Sequence, residues 1–328
     1  MKSNKRPLKN AVRKRIATST AKFLSWQLKS YGKTRIRIYE GSYHSHKRRA
    51  FPNIGIIFQG PILSSKDIEF LSKSIESALQ IVPIENIVVS TWNSTQIEAI
   101  RRQLPCEVIV NQDNESLGNH ERQLISTSSA IEKLKLNGRV EFMVKMRVDQ
   151  RFDFEPLFAN CLTLLATFGK KRVVFASNNS FKYRPFGLSD MFTFANRESS
   201  EIFWHCKPNE VYNLRNLQIN EKFAPWHSTE NTFWTESFLN IRFASYCGFE
   251  FGPSVWDDSL RYMGQHTVLI DSDYFGHDWT KLPSVFVGST EKMLFNRHRP
   301  ELLQEWNFND WWRIMNGDFE TQTPKEIF

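Results

Sequence analysis

The sequence has no long apolar run. Nowhere do about 18 consecutive apolar residues occur, which is the length that a helix needs to cross a bilayer. The first residues also lack the short apolar core and the small-residue cleavage site of a secretory signal. These two absences predict a cytoplasmic protein, although an Arg-rich, acid-poor start is also compatible with an organelle transit peptide.

Cysteine is scarce and unpaired. The four cysteines lie about 40 to 55 residues apart, so none of them has the close partner that a zinc site needs: Cys106, Cys161, Cys206 and Cys247. We predict reduced and mostly buried thiols without a structural zinc ion.

Acidic residues are nearly missing from the first 50 positions, where Glu40 is the single acid against 15 Lys and Arg. That segment carries a net charge of +14, which against +8 for the whole chain leaves −6 on residues 51–328. A nucleic-acid-binding protein usually has its basic surface on the folded body, together with a recognisable reading motif. Nucleic acid is therefore not a predicted partner.

Apolar residues recur at roughly helical spacing within this basic tail, residues 1–50: Leu8, Val12, Ile16, Phe23, Leu24 and Leu28. Such a helix can lie on an anionic membrane surface, to which each nearby Lys or Arg contributes about 1 kcal/mol. The pattern thus predicts peripheral association with the inner face of the cytoplasmic membrane. The alternatives are a solvated tail and a helix packed on the rest of the protein.

Strand-like and helix-like patterns alternate after residue 50 in units of about 30 residues. The apolar segments "IGIIF", "IVVSTW" and "VIVN" are each followed by a helical pattern, and Ser64 or Ser65 is available to cap the first helix. This alternation predicts an α/β fold with a mostly parallel sheet. We predict a catalytic domain at residues 51–290 and a helical extension at 291–328, with Trp306, Trp311 and Trp312 as anchors.

The stretch "VEFMVKMRVDQRFDF", residues 140–154, ends an apolar strand with charged residues. Apolar and polar residues alternate up to Val148, which is typical of a half-buried strand. Ligands of open α/β sheets bind at the carboxyl ends of the strands, so Asp149 is a candidate site residue. The alternative is a solvated series of ion pairs among Arg147, Asp149, Arg151 and Asp153.

The chain contains six short segments in a fixed order: "IIFQGPI", "VVSTWNS", "NHERQLISTSSAI", "VKMRVDQRF", "FGLSDMFTFA" and "STENTFWTESFL". In that order they resemble the WavE-type family of lipopolysaccharide-biosynthesis proteins, over residues 54–245. The resemblance implies a glycosyltransferase that acts on a cell-surface polysaccharide, namely lipopolysaccharide core, O-antigen or capsule. It implies a GT-A-like fold, in which one Rossmann-type domain holds the nucleotide at the carboxyl ends of its first strands.

The resemblance also implies a divalent cation, Mn²⁺ or Mg²⁺, which neutralises the departing diphosphate. Asp149 is the predicted ligand, with Asp153 and His277 as further ligands. The usual pair of acids separated by one residue is broken here, because Arg147 stands in the place of the first acid. Arg147 and its neighbours are therefore an alternative partner of the diphosphate, in place of a metal.

Residues at the ends of the predicted strands and at the start of one helix are candidates for binding the nucleotide-sugar donor. They are Gln59, Gly60, Pro61, Ser90, Thr91, Trp92, Asn119, Arg122, Gln123 and Arg147. Ordinary turns and surface ion pairs are the alternative roles of such residues. An inverting transfer also needs a base for the acceptor hydroxyl, and the resemblance brings forward Asp190 and Glu230. Glu230 has an alternative role as a helix-capping residue.

The leading prediction is a nucleotide-sugar-dependent glycosyltransferase with a glycan or lipid-linked glycan as its acceptor. A transferase of another group from a nucleotide donor, such as a phosphosugar or nucleotidyl group, fits the same sheet and cation. A non-catalytic glycan-binding protein is the third interpretation, because the 27 Phe and 10 Trp are suited to stacking on sugars.

Overall fold

The computed structural model describes residues 49–93, 96–112, 119–182, 184–205, 235–279 and 305–319, without the side chains of Asn119, His120 and Asp273. The chain divides into two compact units, residues 1–47 and residues 48–328, and the described residues belong to the second. Nearly all of the predicted basic tail lies outside the described residues. Glu230 lies outside them as well.

The described residues form nine strands and eight helices. The strands are β1 (Ile54–Gln59), β2 (Ile87–Trp92), β3 (Glu107–Asn111), β4 (Phe142–Arg147), β5 (Gln150–Arg151), β6 (Val173–Ala176), β7 (Phe192–Asn196), β8 (Thr267–Ile270) and β9 (Asp278–Trp279). The helices are α1 (Ser65–Leu79), α2 (Ile97–Gln103), α3 (Asn119–Lys135), α4 (Phe154–Phe168), α5 (Arg197–Trp204), α6 (Thr235–Tyr246), α7 (Val255–His266) and α8 (Phe308–Met315). Strands and helices alternate along most of the chain.

Seven of the strands form one sheet in the order β3-β2-β1-β4-β7-β6-β8, and β5 pairs with β9 in a separate ribbon. Only β7 runs antiparallel to its neighbours in the seven-stranded sheet. The predicted α/β fold with a mostly parallel central sheet is confirmed. Parallel pairing follows from the sequence because each crossover helix returns the chain to the same starting edge.

The first helix shows how local sequence sets an element boundary. Ser64 caps α1: its hydroxyl accepts from the Asp67 backbone N–H at 3.3 Å, and the Asp67 carboxylate accepts from the Ser64 N–H at 2.9 Å. This reciprocal pair satisfies two backbone donors that the helix itself cannot use. The prediction that Ser64 or Ser65 caps this helix is confirmed for Ser64.

The prediction of a half-buried strand at β4 is wrong. Met143 and Lys145 should face solvent if one side of the strand were open, but they are 1% and 2% exposed. Because β4 lies in the middle of the sheet, helices cover both of its faces, as is usual for parallel sheets. The alternation in this strand therefore places a lysine, and not only apolar side chains, in the interior.

The aromatic residues of α8 and its approach belong mainly to the core. Trp306 and Trp311 are buried, and the Trp311 indole donates to the carbonyls of Met263 and Thr267 at 3.2 and 3.0 Å. Their role as core anchors is confirmed, whereas Trp312 is 43% exposed. None of the helices in the described ranges is long and apolar enough to cross a membrane.

Three of the four cysteines lie within the described residues and all three are free thiols. Cys161 is buried and Cys106 is partly buried, as predicted. Cys247 is exposed, because it follows the last turn of α6 and leaves the helix face that packs on the core.

We expect Gly55→Val to lower the free energy of unfolding by roughly 1 to 3 kcal/mol, because the added groups overpack the contact between β1 and α3. A Cβ at Gly55 would lie 2.9 Å from Leu134 Cδ1 and 3.0 Å from Val140 Cγ1. Urea unfolding measures the change. Gly138→Val is the control: a Cβ there meets no atom within 4 Å, so we expect a change within about 0.5 kcal/mol. Equal losses at both positions would contradict this explanation.

Candidate functional site

The strand ends bring several of the predicted site residues to one edge of the sheet. Gln59 at the end of β1 pairs in register with Ser90 of β2 and with Arg147 of β4. Asp190 lies at the same edge because β7 is antiparallel, so it begins where β4 ends and Phe192 faces Met146. We call this region the strand-end edge: Gln59, Ser90, Thr91, Arg147, Asp149 and Asp190. In open α/β sheets this edge is where ligands bind.

The central feature of the strand-end edge is an ion pair between Arg147 and Asp149. Arg147 donates from Nε to Asp149 Oδ1 at 2.8 Å and from Nη2 to Oδ2 at 3.0 Å. The Asp149 carboxylate is 6% exposed and the Arg147 side chain 20% exposed. Burial alone lowers the pKa of Arg147, but the bonds to Asp149 oppose it and the net effect raises that pKa. Arg147 is therefore a fixed positive charge.

The predicted metal ligands Asp149, Asp153 and His277 each have contacts within the protein. Both oxygens of Asp149 accept hydrogen bonds from Arg147. The His277 ring stacks on Phe152 with centroids 4.6 Å apart, and its Nε2 lies 3.2 Å from Gln150 Nε2. The Asp153 backbone precedes α4 and bonds to the Phe275 carbonyl. No group of three His, Cys, Asp or Glu side chains is suited to a metal within the part of the chain that the structure describes.

Lys145, which sequence reasoning missed, is buried directly beneath the strand-end edge. Its Nζ donates to the Asp190 carbonyl at 2.5 Å and to Gln123 Oε1 at 3.3 Å, and lies 4.7 Å from the centroid of a Trp204 ring. Burial lowers the pKa of Lys145 to about 8, although the negative charge of Asp190 opposes this shift. The sequence showed only a lysine at an alternate position of an apolar strand, and that pattern predicted a solvent-facing side chain.

Asp190 presents a buried carboxylate that the protein leaves incompletely bonded. The residue is 4% exposed, and its Oδ2 accepts no hydrogen bond from any of the described residues. Its backbone carbonyl is held by Lys145, so the position of the main chain is fixed. A buried acceptor usually has a partner, so an oxygen that lacks one among the described residues marks Asp190 as a candidate functional group.

Glu236 is a second, partly buried carboxylate that sequence reasoning missed; its side chain is 13% exposed. It lies in the first turn of α6, and its Oε1 accepts from Asn179 Nδ2 at 3.0 Å and from Arg184 Nη1 at 3.3 Å. Burial raises the pKa of Glu236, Arg184 opposes this shift, and the charge of Asp190 adds to it. The motif "STENTFWTESFL" contains Glu236 as well as Glu230, and no local pattern distinguished the two.

The predicted donor-binding residues of β1 and β2 have different environments. Gln59 donates to Ser126 Oγ at 3.0 Å, while its Oε1 and the Thr91 hydroxyl are buried without a hydrogen-bond partner in the described ranges. The Ser90 hydroxyl is committed to the protein, because it donates to the Ser126 carbonyl at 2.7 Å and accepts from Asn111 at 2.9 Å. Gln59 and Thr91 therefore retain polar atoms for a ligand.

The remaining donor candidates surround this group. Gly60 has φ +142°, which favours glycine, and Pro61 is exposed beside it. Trp92 is 8% exposed, so little of its ring is open to stacking. Asn119 and Arg122 belong to the first turn of α3, which begins near the strand-end edge, and Gln123 is held by Lys145. The Asn119 side chain lies outside the described residues.

Comparison with known proteins gives no family. No family model and no curated protein matches this chain. One solved structure that the comparison matches to this chain is 4-diphosphocytidyl-2C-methyl-D-erythritol synthase from Anaerococcus prevotii DSM 20548. It is 10% identical, with a TM-score of 0.36, and the match covers 74% of this chain and 94% of that one. A likeness at this level carries no argument about activity, so function rests on the site itself.

We expect Lys145→Met to change how stability depends on pH. The folded pKa of about 8 lies below the ordinary value of 10.5, so above pH 8 the folded chain loses this proton before the unfolded chain does. The free energy of unfolding of the wild type should therefore rise from pH 8 to pH 10.5 relative to that of Lys145→Met. Urea unfolding across this range gives the comparison.

The control for this experiment is Lys133→Met, which removes an exposed lysine paired with Glu107. Its stability should follow the wild type in parallel across the same pH range. If Lys145→Met also ran parallel to the wild type, Lys145 would not be a buried charge.

Proposed function

We propose that the protein is a nucleotide-sugar-dependent glycosyltransferase that extends a bacterial cell-surface glycan. The observation that carries the proposal is the buried carboxylate of Asp190, at the same sheet edge as the fixed cation Arg147. One of its oxygens has no hydrogen-bond partner among the residues that the structure describes. Group transfer from a nucleotide donor needs both a base for the acceptor and positive charge for the leaving group. The resemblance to the WavE-type family supports a sugar as the transferred group.

The proposed reaction is a single displacement. The acceptor hydroxyl oxygen forms a bond to the anomeric carbon of the donor sugar, while the bond from that carbon to the diphosphate oxygen breaks. The electron pair of the broken bond leaves with the diphosphate, and the Asp190 carboxylate takes the hydroxyl proton. Displacement from the opposite face inverts the configuration at the anomeric carbon.

Lys145 is a positioning residue for this base. It does not reach solvent, being 2% exposed, but it fixes the Asp190 backbone and the Gln123 side chain through one ammonium group. A base displaced by about 1 Å can cost roughly 100-fold in rate, so such support has a catalytic consequence. Gln59 Oε1 and the Thr91 hydroxyl are the proposed acceptors for hydroxyl or amine donors of the nucleoside.

The acceptor side of the proposal is a glycan or a lipid-linked glycan. The charge of +14 on residues 1–50 supports attraction to an anionic membrane surface, where a lipid-linked acceptor is anchored. In this proposal the basic tail keeps the enzyme peripheral to the inner face of the cytoplasmic membrane. Binding to vesicles with and without anionic lipid measures that contribution separately from catalysis.

We expect Asp190→Asn to lower kcat roughly 100- to 10,000-fold, because the amide cannot accept the proton of the acceptor hydroxyl. The assay is nucleotide release from UDP-, GDP-, CMP- and dTDP-sugars in the presence of a glycolipid acceptor. The control Asp257→Asn changes an exposed acid in the first turn of α7 and should retain wild-type turnover.

Two results would contradict the proposed function. Wild-type activity in Asp190→Asn would remove the base from the mechanism. Release of a sugar 1-phosphate from a UDP-, GDP- or dTDP-sugar, in place of the nucleoside diphosphate, would show transfer of the nucleotidyl group and not of the sugar.

A further inference from the structure

Within the described part of the chain, one edge of the Arg147 guanidinium is occupied and the other has no hydrogen-bond partner. Arginine has five N–H donors, and Asp149 takes one from Nε and one from Nη2. The remaining three, on Nη1 and Nη2, make no hydrogen bond with the residues that the structure describes. Because Asp149 binds the Nε–Nη2 edge, the Nη1–Nη2 edge keeps the geometry that binds a second oxyanion with two parallel bonds.

Three further observations support a ligand site at the Nη1–Nη2 edge of Arg147. Arg147 ends β4 in register with Gln59, whose Oε1 is also buried and unpartnered. Its side chain is 20% exposed, so a solute can reach a cation that is otherwise enclosed. Lys145, two residues earlier on the strand, adds positive charge near Arg147. Asp149 and Asp190 are the acids whose negative charges interact with Arg147.

We propose that Arg147, held in place by Asp149, binds the diphosphate of the donor directly and that the protein does so without a divalent cation. The inference rests on the function proposed above and names the group that neutralises its leaving nucleotide. A guanidinium is suited to this role because its planar donors match two phosphate oxygens and its charge does not titrate. Asp149 is then the residue that orients Arg147, and not a metal ligand.

A metal at Asp149 would have to displace Arg147 from a nearly buried carboxylate or share that carboxylate with it. In the first case the guanidinium would lose both of its bonds, and in either case it would lie beside a second positive charge. Breaking one partner away from a buried ion pair is strongly unfavourable, because the other charge stays desolvated. The existing pair therefore opposes a cation and supports an anion at the same place.

The test is the binding of UDP, GDP, CDP and dTDP, and of the parent nucleosides, measured by calorimetry in EDTA and again with Mn²⁺. We expect the wild type to bind at least one diphosphate in EDTA with an affinity close to that in Mn²⁺. Arg147→Met should weaken diphosphate binding roughly 10- to 100-fold and leave nucleoside binding unchanged, because only the phosphate contacts are lost.

Two variants keep the result interpretable if Arg147→Met folds poorly. Arg147→Lys retains the charge but not the fork, so it should bind the diphosphate more weakly than the wild type and more tightly than Arg147→Met. Arg151→Met is the matched control: Arg151 is an exposed arginine paired with Asp278, and its loss should leave diphosphate binding unchanged.

The outcomes separate the inference from the proposed function. Diphosphate binding that requires Mn²⁺, or that is unaffected by Arg147→Met, overturns the inference while leaving a metal-dependent glycosyltransferase possible. Diphosphate binding in EDTA that depends on Arg147, with no turnover of any sugar donor, supports the site and overturns the proposed function.

Discussion

Lys145 and Arg147 place two positive charges in the last half of the central strand β4. Both side chains are largely buried, so neighbouring protein groups must stabilise their charge. Arg147 is matched by the forked bonds to Asp149, while Lys145 is matched by the Asp190 carbonyl, the Gln123 amide and the face of Trp204. Buried charge is tolerated only when such partners are in place. The positions of Gln123, Asp149 and Asp190 therefore follow from the need to satisfy these two cations.

The antiparallel strand β7 makes this compensation possible. A parallel strand beside β4 would begin at the opposite edge of the sheet, far from the end of β4. Because β7 runs the other way, the residues just before it, including Asp190, meet the residues that end β4. The acids then lie on two sides of the site: Asp149 holds Arg147 where we propose the donor, and Asp190 lies near Glu236 where we propose the acceptor. Burial and the charge of Asp190 raise the pKa of Glu236, and the ion pair with Arg184 opposes that shift.

The order of strands and helices could be predicted from the sequence because hydrophobic periodicity depends only on neighbouring residues. Hydrophobic periodicity identified β1 to β4, and the positions of Gln59, Arg147 and Asp149 at strand ends followed from the rule for open sheets. Periodicity could not show that β4 is covered on both faces, because the helices responsible include α5, about 50 residues later in the chain. For the same reason Lys145 and Glu236 were missed: their partners, Trp204 for one and Asn179 and Arg184 for the other, come from distant segments.

The most direct test of the account is a crystal structure of the protein with the nucleoside diphosphate that it binds most tightly, grown without added metal. We expect the β-phosphate within hydrogen-bond distance of Arg147 Nη1, with the bonds from Nε and Nη2 to Asp149 intact and the Asp190 carboxylate facing the vacant sugar position. A diphosphate bound elsewhere, or a cation between Asp149 and the phosphates with Arg147 turned away, would contradict the account.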